Sequence, residues 1–173
     1  MGIFESLNRH PRPVMGVLAA IILIAGTLIA SQLRGGPGAS LAKQAYFTDD
    51  DGNSFFADDA SKIPPFDHNG KEAVVAHVFS TGHDSPFVGY LERAVSSRGR
   101  DTIEKAREQM IADAAKQAVP MPSSELVERI RDNTEVKRPG STKWILATSK
   151  EVAGVYAVRS PSGSSDVPHE VLP

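Results

Sequence analysis

The sequence predicts an α+β protein: one N-terminal transmembrane helix followed by a small, mostly antiparallel sheet packed with one or two helices. Three observations predict it. An uncharged apolar span lies near the start, turn-punctuated runs of β-branched and aromatic residues lie on both sides of the middle, and apolar residues at helical spacing lie between those runs. Strands, then helices, then strands is an order that places helices on one face of an antiparallel sheet. No repeat of about 20–50 residues recurs, so a solenoid is not expected.

The apolar span runs from Val14 to Leu33, through Leu18, Ile22, Ala25 and Ile29, and carries no charge. About 20 residues of helix rise about 30 Å, the thickness of the hydrocarbon core. Pro11 and Pro13 precede it, where proline is tolerated, and Gly35, Gly36, Pro37 and Gly38 end it and open a flexible spacer. Arg9, Arg12 and the amino terminus flank the span on one side, Arg34 and Lys43 on the other. The N-terminal side has the small lead in positive charge, and a long C-terminal domain crosses largely regardless of its own charge. The expectation is a single-pass signal-anchor: residues 1–13 cytoplasmic, 14–33 in the bilayer, 34–44 a spacer, and an extracytoplasmic domain over 45–160 with a fraying tail over 161–173.

Two alternatives fit less well. A cleaved signal peptide has a shorter apolar region, and the small-residue site at Ser40-Leu41-Ala42 lies far beyond this one. A prepilin would carry its glycine against the apolar run, whereas a polar stretch separates Gly2 from Val14. Gly16 and Ala20 make a small-xxx-small pair of the kind found in dimerising helices, a spacing also common by chance.

Beyond the spacer, Tyr46-Phe47-Thr48 and Phe55-Phe56-Ala57 flank Asp49-Asp50-Asp51-Gly52-Asn53, which reads as a hairpin. Lys62–Lys71 holds two prolines and then Asn69-Gly70, an ordered loop ending in a turn. Ala73–Phe79 and Phe87–Leu91 read as two strands of a second hairpin. From Asp101 to Val119, Ile103, Ala106, Met110, Ala114 and Ala118 share one helical face. Asp101 with Glu104 resembles a capping box, and Pro120 ends the helix. Ser123 or Ser124 can cap a shorter helix carrying Leu126, Val127 and Ile130. Strands return at Thr134–Lys137, Trp144–Leu146 and Val155–Val158, the first two joined through the turn Arg138-Pro139-Gly140-Ser141. The helical face is mostly alanine, so Tyr46, Phe47, Phe55, Phe66, Phe79, Phe87, Tyr90 and Trp144 are expected to supply much of the core.

With 173 residues, 40% apolar and 23% charged, the chain has the composition of an ordered protein with one modest core. A net charge of −2 offers phosphates no basic footprint, so nucleic acid is not an expected partner. The absence of cysteine removes disulfides, iron–sulfur clusters and thiolate zinc sites.

Candidate chemistry is sparse, and no cofactor is expected. Asp49, Asp51 and Asp58 belong to an acidic cluster that suggests calcium. Counted from Asp49, however, the sixth position is Ser54 and the twelfth Ala60, so the EF-hand register fails. A solvated hairpin tip is the plainer reading. Asp67 and His68 could form an acid–imidazole pair for metal or catalysis, although Asn69-Gly70 beside them more simply makes a turn. His77 reads as a half-exposed strand residue. His83-Asp84-Ser85 has the residue types of a hydrolytic triad, but consecutive residues cannot converge as one, and there is no Gly-x-Ser-x-Gly elbow.

The segments Lys62–Lys71 (KIPPFDHNGK), Ala73–Phe79 (AVVAHVF), Phe87–Arg93 (FVGYLER) and Val136–Ile145 (VKRPGSTKWI) resemble a family of uncharacterised single-pass, membrane-anchored proteins of planctomycete-type bacteria. The resemblance brings no activity with it. It implies cysteines in relatives at the places held here by Ser80 or Thr81 and by Ser160. It thereby implies a strand Ala73–Phe79 lying beside a strand Val155–Val158. The expected role is non-enzymatic: the helix holds the bilayer, and the domain contacts a protein or envelope partner. The alternatives are a ligand-binding or enzymatic module using Asp67 and His68, and a structural accessory subunit.

Overall fold

A computed structural model describes residues 44–82, 85–115, 123–163 and 165–173. The span predicted at Val14–Leu33 and its spacer lie outside the described residues, as do His83, Asp84, Ala118 and Pro120. Among the described residues no helix is long and apolar enough to cross a membrane.

Among the described residues, eight strands and three helices follow in the order β1 (Gln44–Thr48), β2 (Phe56–Asp59), β3 (Phe66–His68), β4 (Lys71–Ser80), β5 (Phe87–Ala94), α1 (Ser97–Ala114), α2 (Ser124–Asp132), β6 (Thr134–Lys137), β7 (Ile145–Leu146), α3 (Val152–Tyr156) and β8 (His169–Glu170). The sheet runs β2-β1-β4-β5-β6-β7, with β3 and β8 pairing elsewhere along β4. Every pairing is antiparallel. The α+β class and the mostly antiparallel sheet follow the sequence-based expectation.

The turns explain the hairpins. Asp51 and Gly52 both take positive φ in the β1–β2 loop, and Asn69 and Gly70 do so between β3 and β4. Two successive positive-φ residues give the hairpin twist that suits flanking strands, and Asn, Asp and Gly bear that geometry at least cost. The central hairpin β4–β5 pairs Ala76 with Leu91 and His77 with Tyr90. It then shifts register by a bulge before Val78 pairs with Val88.

The pleat divides the central strands into two faces. One carries the buried cluster Val74, Ala76, Val78 and Leu91, against which Tyr46, Phe55, Val88, Trp144 and Val171 pack. The other carries Val75, His77, Tyr90, Glu92 and Val136, as the register requires. Here Tyr156 of α3 meets Tyr90 edge-on at 5.1 Å, and the α1 residue Arg107 acts on Glu92. Helix α1 buries Ile103, Ala106 and Met110, and α2 buries Leu126, Val127 and Ile130.

Several expectations change. Helix α1 begins at Ser97, and the cap is Ser96, whose Oγ accepts from Gly99 N at 3.1 Å. Asp101 lies inside the helix, so the capping-box resemblance has no structural role. Ser123, not Ser124, caps α2 by accepting from Leu126 N at 3.2 Å. Val155–Val158 is not a strand: Val152–Tyr156 forms the short α3, because one helical turn lets Val152 and Val155 bury together. Strand β4 therefore has β1, β3, β5 and β8 as neighbours. Ser80, Thr81 and Ser160 are all buried nonetheless.

Of the aromatics assigned to the core, only Phe47 and Tyr90 are fully buried, at 1% and 2% exposure. The others are half-buried. They pair at the margins, as in the edge-on contact of Tyr46 and Phe55 at 4.9 Å, while Val78, Leu91, Ile130 and Val136 fill the centre. The tail expected to fray carries β8, which pairs His169 with Ser80 and Glu170 with Phe79.

Candidate functional site

Asp49, Asp50, Asp51, Asp58 and Asp67 do not converge; each is committed to its own partner. Asp49 Oδ2 lies 2.9 Å from His68 Nδ1, and the His68 ring stacks on Phe56 at 4.0 Å between centroids. Asp67 sits on the opposite side of β3, where Oδ1 accepts from Gly70 N at 3.4 Å. Asp67 and His68 therefore do not form a pair. Asp51 leaves the cluster altogether: it pairs with Lys137 and accepts from Gly140 N, tying the first hairpin to the β6–β7 turn. Asp58 pairs with Lys62 at 2.6 Å, and that ammonium holds its carboxyl below the usual range. Asp50 caps the hairpin loop by accepting from the Ser54 hydroxyl and amide, which lower its pKa likewise. Among the described residues no group of three or more His, Asp or Glu is arranged to hold a metal ion.

The concentration of buried charge lies elsewhere, at a residue read from sequence as half-exposed. His77 projects from the middle of β4 onto the helix-bearing face and is only 10% exposed. Its Nδ1 lies 2.8 Å from Glu170 Oε1 on β8, and its Nε2 lies 3.3 Å from Glu92 Oε2 on β5. The ring stacks on Tyr90 with centroids 4.1 Å apart and planes 16° apart. Tyr156 closes the far side of Tyr90, and Arg107 lies close enough to Glu92 to lower its pKa.

The chemistry follows from the donor count. A neutral imidazole has one N–H and one acceptor nitrogen, but here both nitrogens face carboxylate oxygens. Both are satisfied only when the ring is doubly protonated and donates from each side. Burial opposes that charge, yet the bonds to Glu170 and Glu92 outweigh it and raise the His77 pKa to about 9. The reciprocal effect lowers Glu92 despite its own burial. Tyr90 is pushed well up by burial and by the two nearby carboxylates, so its hydroxyl stays neutral. Tyr156 moves up for the same reason, burial first. Burial lowers Arg107, with Glu92 opposing the shift. Two cations thus face two carboxylates in a near-neutral group. One atom is left over: Glu170 Oε2 is buried with no hydrogen-bond partner.

Neither ring nitrogen keeps a free lone pair, so His77 in this state is neither a general base nor a metal ligand. The arrangement is an electrostatic clamp joining β4, β5 and β8. No short spacing could have revealed it, because Glu170 stands 93 residues from His77. The one local signal is a histidine on the same strand face as Val75, between buried Ala76 and Val78.

A second aromatic–cation group sits on the other face. Arg93 lies over the Trp144 ring at 4.2 Å and Lys137 at 5.2 Å. Arg93 is paired with Glu135 and Glu72, and Lys137 with Asp51, so both cations are compensated.

No protein-family model, curated protein or solved structure matches the chain.

Proposed function

We propose that this chain is a membrane-tethered domain that works by contact with a protein or cell-envelope component, its N-terminus cytoplasmic and its α+β domain on the other side of the bilayer. The observation that carries the reading is the uncharged span Val14–Leu33, followed at once by a Gly/Pro spacer and then by β1 at Gln44. The domain supports it. Its prominent charged residues, His77, Glu92, Arg93 and Lys137, are committed to partners within the fold. What it offers another molecule is surface, including short strand edges.

Vesicles bearing the full chain test the tether. After alkaline carbonate the protein should remain in the pellet. The double substitution Ile22→Arg and Ala25→Arg should move it to the supernatant, since each buried charge costs about 2.5–3.5 kcal/mol at mid-bilayer. Wild-type protein that washes off, or a mature chain starting beyond residue 40, would sink the tether. Crosslinking in native membranes followed by mass spectrometry tests the contact: a reproducible partner is expected, and repeated captures that share none count against it.

A further inference from the structure

The side of β4 that faces away from β5 is covered in pieces. Strand β3 takes Lys71–Ala73, β1 takes Val74 and Val75, and β8 takes Phe79 and Ser80. The last piece differs from the rest. Strand β8 is two residues long and follows residues 161–163 and 165–167, which are exposed and have no regular structure. It is held by the pairing of His169 and Glu170 with Ser80 and Phe79, by the bond from Val171 N to Val78 O at 2.8 Å, and by the ion pair of Glu170 with His77. Val171 then packs against the Val74–Val78–Leu91 cluster.

We infer that the β4 edge at His77–Ser80 is a strand-acceptor site, occupied by the chain's own C-terminal segment, whose external ligand is an extended peptide with an acidic residue followed directly by an aliphatic one. The site has the parts of strand addition: a main-chain edge covered only by a two-residue strand, a charged key and an apolar seat. His77 selects an acid because its Nδ1–H is buried and needs an anionic acceptor once Glu170 leaves. Val171 marks the seat for the aliphatic neighbour. The chain's own tail competes at an effective concentration in the millimolar range, so an outside strand binds only when the tail is weakened or the outside strand carries extra contacts. This inference rests on the contact role proposed above and names its site and ligand chemistry.

The test uses the full chain, isotopically labelled, with a synthetic peptide of residues 165–173 (SDVPHEVLP) as the probe. Glu170→Gln weakens the tail while leaving His77 in place. The peptide should bind this variant and shift the Phe79 and Ser80 amide resonances. A peptide with Gln in place of its Glu should bind at least about tenfold more weakly, the loss expected for a buried charged bond. Wild-type chain should bind neither at the same concentration. If Glu170→Gln does not fold, Val171→Ser weakens the tail by its apolar contact instead and is tested with the same two peptides. The inference is overturned if no peptide binds either folded variant at several times the millimolar range, or if the Glu and Gln peptides bind alike. Neither result touches the carbonate experiment, so failure of this site and failure of the tether are separable.

Discussion

His77 shows how one residue acquires a property its sequence neighbourhood does not suggest. Alternation along β4 decides only that it faces one side of the sheet. The carboxylates from β5 and β8 then decide its charge. The folded pKa, about 9, lies above the ordinary 6.5. The stabilisation from its proton is therefore fully present below pH 6.5 and is lost as pH rises through about 9. The gap corresponds to roughly 3 kcal/mol. Glu92 has the opposite sign: its pKa is lowered from 4.5, so its contribution is present above pH 4.5 and fades as pH falls. Urea unfolding of the α+β domain at pH 6 and pH 9.5 should show a large loss of stability at the higher pH, and His77→Gln should flatten that slope while lowering stability at pH 6. An unchanged slope in the variant would place the pH dependence elsewhere. Gly89 makes a steric prediction at the same scale. A Cβ there would lie 2.6 Å from Phe79 Cδ2 and 2.8 Å from Val158 Cγ2. Gly89→Ala should cost about 1–3 kcal/mol by overpacking, read as a lower urea midpoint with unchanged slope.

Elements in this protein are set by their ends more than by their middles. Helix α1 has a weakly apolar face, so the bond from Gly99 N to Ser96 Oγ is a sizeable share of what fixes its start. Ser96→Ala should destabilise the domain by about 1 kcal/mol, while Asp101→Ala, at an exposed position inside the helix, should change it by less than about 0.5 kcal/mol. Thermal unfolding of the two variants side by side distinguishes them; equal effects would return the cap to Asp101. The hairpins follow the same logic, since Asp51-Gly52 and Asn69-Gly70 supply the positive φ their loops require. Helix α3 is the counterexample. Val155-Tyr156-Ala157-Val158 has strand composition, yet Val152–Tyr156 forms one turn of helix that buries Val152 and Val155 together. Tertiary context overrides β-propensity here.

At the scale of the whole molecule, the sheet is assembled from neighbours close in sequence and closed by contacts far apart. Ladders β1–β2, β3–β4, β4–β5 and β6–β7 join consecutive strands. The long-range closures include β1 on β4, β5 on β6 across two helices, β8 on β4, Asp51 on Lys137, and Glu170 on His77. The division in legibility follows from this. Hairpins, helix periods and fold class could be read in the sequence because each is written in residues a few positions apart, through φ preferences and the two periods of burial. The acidic cluster illustrates the limit: Asp49, Asp51 and Asp58 look like one group in sequence, but each goes to a different partner, His68, Lys137 and Lys62. Which carboxylates meet His77, which residue covers the β4 edge, and which aromatics reach the centre were decided only by tertiary structure. Those contacts depend on how distant segments pack, and the free energy of burying a charge exists only once its partners have arrived.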